Sequence, residues 1–317
     1  MVSLSDIQAA RTAIARHIVR TPLLPSRALS VAAGVELLLK LECRQHTGSF
    51  KPRGALNKIR TLSVDERAHG VVAASAGNHA LGVAHACEAF GLDQADLFVQ
   101  GNAAPAKIAK LRRYAVRLHL VGTTFEEAQQ AALAHARATG ATLVSAYDDP
   151  AVIAGQGTVG LEIAEDAGPV DAVVVPVGGG ALLAGIAVAI HALHPKARLV
   201  GVNPEASPSA LLSWRRGAAI DPYDHEETLA HGLAGGLGKI PFAVARDLVD
   251  EIVLVSEVEM KHAMAALIDA EQVLAEASGI AAVAALLYGK IVGLEAKRVV
   301  AVVSGGNIDA ATLKAIL

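Results

Sequence analysis

Aromatic residues make up only 3% of this 317-residue chain, and it has just two cysteines. So few rings exclude a surface built for stacking nucleobases. Cys43 and Cys87 lie far apart and form no CxxC pair, which excludes a disulfide framework and points to a reducing cytosol. A basic excess is also missing, since 28 Lys and Arg stand against 31 Asp and Glu for a net charge of −3. Nothing is left over to neutralise a phosphate backbone, so no nucleic-acid partner is expected. The one stretch resembling a membrane span, 172–195, holds no Asp, Glu, Lys or Arg. Pro176 and the glycines Gly178, Gly179 and Gly180 break it into a strand, a turn and a new helix, so no membrane partner is expected either. A secretory leader is not legible at 1–24, which carries Arg11, Arg16 and Arg20 without an apolar core. There Ile7, Ala10, Ile14 and Ile18 recur at helical spacing and predict an amphipathic helix, with a transit peptide as the alternative.

Aliphatic mass is what the chain does have. Hydrophobic residues are 53% and charged residues 19%, a balance that excludes a disordered chain. Short β-branched runs at 36–40, 70–74, 96–99, 117–121, 142–145, 171–176, 198–202, 252–255 and 298–303 alternate with helical patterns. The helical patterns fall at 77–90, 105–113, 125–138, 152–166, 181–193, 258–270 and 277–292. This alternation predicts an α/β fold with parallel sheets flanked by helices. Neither a repeat of 20–50 residues nor a low-complexity tract is present. The segment 204–241, with Gly217, Pro222, Gly232, Gly235, Gly236 and Gly238, reads as a long functional loop.

Four segments fall where an open α/β sheet binds ligands, after a strand and before a helix. In Thr47-Gly48-Ser49-Phe50-Lys51-Pro52-Arg53-Gly54-Ala55, Pro52 suits a first helical turn and leaves Lys51 beside the positive helix end. A lysine there is easier to free as a nucleophile or base. A plain helix-capping turn is the alternative. Ser75-Ala76-Gly77-Asn78-His79 offers consecutive N–H groups to an anion such as a substrate carboxylate, or else is an ordinary turn capped by Ser75. Val177-Gly178-Gly179-Gly180-Ala181-Leu182 lets backbone amides approach a phosphate closely. It matches neither GxGxxG nor GxxxxGK[ST], so a single phosphate is favoured over a dinucleotide, with a merely tight turn as the alternative. Val303-Ser304-Gly305-Gly306-Asn307 places a hydroxyl at the mouth of the sheet.

Together these four segments closely resemble the fold-type II pyridoxal-phosphate enzymes, in particular the serine/threonine dehydratase family that includes serine racemases. The resemblance runs from Arg20-Thr21-Pro22-Leu23 to Asn307 and includes Asp149-Pro150 through Gly155-Gln156-Gly157-Thr158. It implies a two-domain, tryptophan synthase β-like fold, with 1–60 and 148–317 as the large domain and 61–147 as the small one. The cofactor, pyridoxal 5'-phosphate, would lie in the cleft between them. Lys51 would hold it as a Schiff base with Phe50 beside the ring, and the freed amine would remove the Cα proton. Asn78 would bond the ring hydroxyl, and Ser75, Ala76, Gly77 and His79 would surround the substrate carboxylate. Gly178, Gly179, Gly180, Ala181 and Leu182 would cradle the phosphate, Ser304 would meet the pyridine nitrogen, and Glu276 matches an acidic residue near the ring. Tyr147 would line the substrate pocket and favour a substrate larger than serine, or else pack at the domain interface. The expected enzyme is a cytoplasmic, homodimeric ammonia-lyase acting on L-threonine or L-serine, or on 3-hydroxyaspartate.

Three departures from the family pattern refine that expectation. Ala181 stands in place of a fourth glycine. Ala76 stands where racemase-like members carry a second serine, so elimination is expected over racemisation. Ser209 and Leu211 stand where a divalent-cation site would need a carbonyl donor and an Asp, so no metal is expected despite Glu205. A regulatory domain after Asn307 is not expected, nor with it feedback by a branched-chain amino acid. The rival readings are a racemase or β-replacement enzyme of the same fold, a non-catalytic binder that kept the fold, and a nucleotide-binding oxidoreductase.

Overall fold

A computed structural model describes residues 2–316. Its ten strands are β1 (Leu23–Pro25), β2 (Glu36–Leu41), β3 (Val71–Ala74), β4 (Ala95–Val99), β5 (Arg117–Leu120), β6 (Thr142–Leu143), β7 (Ala172–Pro176), β8 (Arg198–Pro204), β9 (Glu251–Val255) and β10 (Arg298–Val303). They form two sheets. The larger runs β1-β2-β10-β7-β8-β9 and the smaller β5-β4-β3-β6. Every pairing is parallel except that of β1 with β2. A parallel sheet must be covered on both faces. Val173 and Val175 of β7 accordingly pack in one apolar layer and Ala172 and Val174 in another.

Helices Leu4–Ile14, Pro150–Ala167 and Ala181–Leu193 cover one face of the large sheet, and Glu257–Glu271 and Ala277–Leu287 the other. Pro150–Ala167 and Ala181–Leu193 cross with almost no gap, since a Cβ built on Gly185 would lie 2.5 Å from the Gly157 nitrogen. The small sheet is covered by Asn78–Ala89 on one side and Phe125–Thr139 on the other. Helix Lys51–Arg60 lies between the two halves, packed on both Asn78–Ala89 and Pro150–Ala167. Asp149 starts the latter helix, its carboxylate accepting from the Ala151 and Val152 nitrogens at 2.7 and 3.1 Å. Among the described residues no helix is long and apolar enough to cross a membrane.

A fully buried charge cluster anchors helix Lys51–Arg60. Arg53 donates from Nε and Nη2 to the two oxygens of Glu42, each at 2.8 Å, and from Nη1 to Glu162 at 2.7 Å. Lys40 Nζ donates to Glu162 at 2.6 Å and to the Thr21 carbonyl at 2.8 Å. Two cations thus balance two anions inside a core where an unpaired charge would be costly.

Several elements differ from the sequence reading, among them the short helices Arg27–Ala33, Val64–His69 and Ala310–Ile316, which the helical patterns did not include. The segment 204–241 is not all loop, because Ser209–Arg216 is a helix closed by Gly217 in the left-handed region (φ 70°). Its Trp214 packs edge-on to Phe242, with ring centroids 5.2 Å apart. Strand β1 has only three residues, too few to show an alternation, and is held by pairing with β2.

Candidate active site

The four glycine- and serine-bearing turns converge. Three follow strands of the large sheet, after β2, β7 and β10, and one follows β3 of the small sheet. Lys51 opens its helix, with Pro52 at the second position, where no N–H partner is missed. The turn before it is stitched to the end of β10. Phe50 N–H donates to the Ser304 carbonyl at 3.1 Å, and Gly306 N–H to the Gly48 carbonyl at 2.9 Å. The Lys51 amine donates to the Ala146 carbonyl at 2.9 Å and stands 5.1 Å from the centre of the Phe50 ring. Among the described residues no carboxylate pairs with it. Burial alone lowers its pKa to about 8.

In the turn after β3, Ser75 Oγ accepts from Gly77 N–H at 3.1 Å. A Cβ built on Gly77 would meet nothing within 4 Å, so the turn faces open space. Helix Asn78–Ala89 has no side-chain cap, and the N–H groups of Ala76, Asn78 and His79 find no acceptor among the described residues. His79 is buried and donates from Nε2 to the Val144 carbonyl at 2.8 Å. Burial, with the neighbouring Lys51 charge, lowers its pKa to about 3, so it is a neutral ring of fixed tautomer. Asn78 is held at both ends of its amide. Its Nδ2 donates to Glu276 Oε1 at 2.6 Å, and its Oδ1 accepts from Asn307 Nδ2 at 2.7 Å. Burial raises the pKa of Glu276, against the opposing pull of that Asn78 bond.

The turn after β7 is glycine for steric reasons. Gly180 has φ 92°, and a Cβ on Gly178 would lie 2.6 Å from the Gly232 carbonyl oxygen. No described residue accepts from the N–H groups of Gly178, Gly179, Gly180, Ala181 or Leu182, and helix Ala181–Leu193 has no side-chain cap. Ala181 is already helical, so its Cβ demands no positive φ and the N–H array is kept. Ser304 is buried, and its hydroxyl has only the Ser278 carbonyl, at a long 3.4 Å. Tyr147 packs its ring against Gly179, with its hydroxyl donating to Asp221 at 3.0 Å.

A lone amine freed by burial, two uncapped helix starts for two anions, and a neutral hydroxyl fit a phosphate-bearing aldehyde cofactor. The family model for pyridoxal-phosphate-dependent enzymes matches residues 14–305. The chain belongs to that family. The enzyme is 45% identical to the L-threonine ammonia-lyase of Thermotoga maritima over 310 residues, 98% of this chain and 76% of that one. Its fold matches maize serine racemase with a TM-score of 0.94 at 32% identity, covering 99% and 96% of the two chains. The processed form of threonine deaminase isoform 2 from Solanum lycopersicum matches with a TM-score of 0.92 at 34% identity, covering 99% and 86%. The fold is therefore that of the fold-type II enzymes, and the cofactor is pyridoxal 5'-phosphate.

Sequence reasoning missed two parts of the site. Asn307, read only as the end of a motif, is a joint that also donates to the Thr47 carbonyl at 2.6 Å and accepts from Lys110 at 3.0 Å. Asp221, inside the segment read as a long functional loop, is the acceptor for Tyr147. Local pattern carries no signal for either pairing.

Proposed function

We propose that the enzyme is an ammonia-lyase that converts a β-hydroxy amino acid to a 2-oxo acid and ammonia. L-Threonine and L-serine are the first candidates, and 3-hydroxyaspartate the third. Pyridoxal phosphate, when bound, supplies the electron sink for a carbanion at Cα. In this reading Lys51 anchors the cofactor beside Phe50 and then moves the Cα proton on its amine, which stays partly unprotonated near neutral pH. The N–H groups of Gly178, Gly179, Gly180, Ala181 and Leu182 hold the phosphate. Asn78, oriented from both ends, faces the ring hydroxyl, and Ser304 the ring nitrogen. The Ser75, Ala76, Gly77 and His79 turn holds the substrate carboxylate, with Glu276 and Tyr147 at the margins of the site.

The observation that carries this reading is the Lys51 amine, unpaired by any carboxylate in the same cleft as two uncapped helix starts. A binder would not need that amine, and the relatives named threonine ammonia-lyase and threonine deaminase support the substrate class. Lys51→Ala should abolish the cofactor's imine absorption and cut 2-oxo acid release by orders of magnitude. Wild-type turnover by that variant would end the proposal. Racemisation should be slow beside elimination, because Ala76 has no proton to give. Chiral analysis of recovered serine checks this, and D-serine formed faster than pyruvate would reverse the ranking. We further propose that 61–147 forms the small domain beside 1–60 and 148–317, and that the enzyme is a cytoplasmic homodimer. The two distant free cysteines support the compartment.

A further inference from the structure

Residues 145–148 form one short turn that touches three parts of the site at once. Ala146 takes the Lys51 amine on its carbonyl at 2.9 Å. Tyr147 lays its ring against Gly179, where a Cβ would overlap the ring carbons, and against Gly238, where one would meet the ring at 2.7 Å. Asp148 accepts from Ile240 N–H at 2.8 Å. The segment 217–238 is drawn to the same place, with Gly238 N–H donating to the Gly179 carbonyl at 3.2 Å and Leu237 N–H to the Ile220 carbonyl at 2.8 Å. Asp221, next to Ile220, closes the circuit by accepting from the Tyr147 hydroxyl at 3.0 Å.

We infer that Tyr147 is a positioning residue for the glycine turn, and that its bond to Asp221 latches the 217–238 segment against that turn and slows release of the phosphate held there. The ring packs directly on Gly179, and the hydroxyl is engaged by Asp221. A latch of this kind acts on a rate of cofactor loss, not on which amino acid is accepted. The inference rests on the proposed phosphate-holding role of Gly178, Gly179 and Gly180.

The test measures loss of pyridoxal phosphate from the holoenzyme, by absorbance after dilution into a trap for the free aldehyde. Tyr147→Phe keeps the ring and Asp221→Leu removes the acceptor. Each should speed release about threefold to tenfold, the worth of one part-exposed hydrogen bond. The double variant should release no faster than either single one, since both break one bond. Asp221→Asn, which keeps an oxygen in place, should release at the wild-type rate. Unchanged release in both single variants overturns the latch. So does an additive double variant, or a change confined to the kcat/KM ratio between threonine and 3-hydroxyaspartate, which would mark Tyr147 as a substrate contact. If the wild-type protein takes up no pyridoxal phosphate, the phosphate-holding role itself fails, a result distinct from the others. Circular dichroism of each variant separates local loosening from misfolding.

Discussion

Lys51 is kept reactive at the expense of stability. Its amine ordinarily titrates near 10.5 and burial brings it to about 8. Below pH 8 the folded and unfolded chains both carry the charge, so the whole penalty of burying it weighs on the fold. Between 8 and 10.5 the unfolded chain holds the extra proton, and stability rises with pH. In the cofactor-free protein, Lys51→Met should therefore stabilise at pH 7, on the order of 1–3 kcal/mol, with the gain fading above pH 8 and vanishing near 10.5. Urea unfolding at several pH values measures this. A gain that does not depend on pH would trace to packing instead. His79 takes no part in that titration. With its pKa near 3 it stays neutral across the working range, so an acidic limb in the rate profile belongs to another group.

Arg53 sets the position of the helix that Lys51 opens. Burial works against its charge, but Glu42 and Glu162 more than restore it, and Arg53 in turn holds Glu162 ionised. Arg53→Met leaves one negative charge uncompensated and should cost about 3–5 kcal/mol in denaturant unfolding. Adding Glu42→Gln restores neutrality and should recover a good part of that loss. An unrecovered double variant would show that shape rather than charge balance was lost. The strands were legible because Val recurs along β7, β8 and β10, and the helix starts because Ser and Thr cap them or Pro opens their first turn. This charge cluster was not legible. Its members at 40, 42, 53 and 162 are ordinary surface-type residues in sequence, and only the fold brings them together over as many as 122 positions. Helix Ser209–Arg216 was lost among the glycines that surround it.

The two sheets meet through a few long-range polar contacts at the cleft. Asn78 reaches Glu276, Asn307 reaches Asn78, and Lys110 reaches Asn307 across a separation of 197 residues. The motif glycines and Lys51 could be picked out because their chemistry is local, whereas such joints depend on how the sheets face each other. Lys110 touches Asn307 and not Lys51, so Lys110→Met should loosen the approach of helix Pro105–Leu111 without reaching the chemistry. The expected outcome is a KM raised about twofold to fivefold with kcat within twofold, read from steady-state kinetics. A fall in kcat alone would place Lys110 nearer the reaction. The strand order also governs assembly during synthesis. The four strands of the small sheet lie within residues 71–143, so their pairing can close while the ribosome is still at work. In the large sheet β2 and β7 have no direct contact as neighbours and are joined only through β10, which begins at Arg298. During synthesis one edge of β2, and later one edge of β7, must therefore stay unpaired, and their exposure to chaperones and to aggregation ends only when β10 emerges and slides between them.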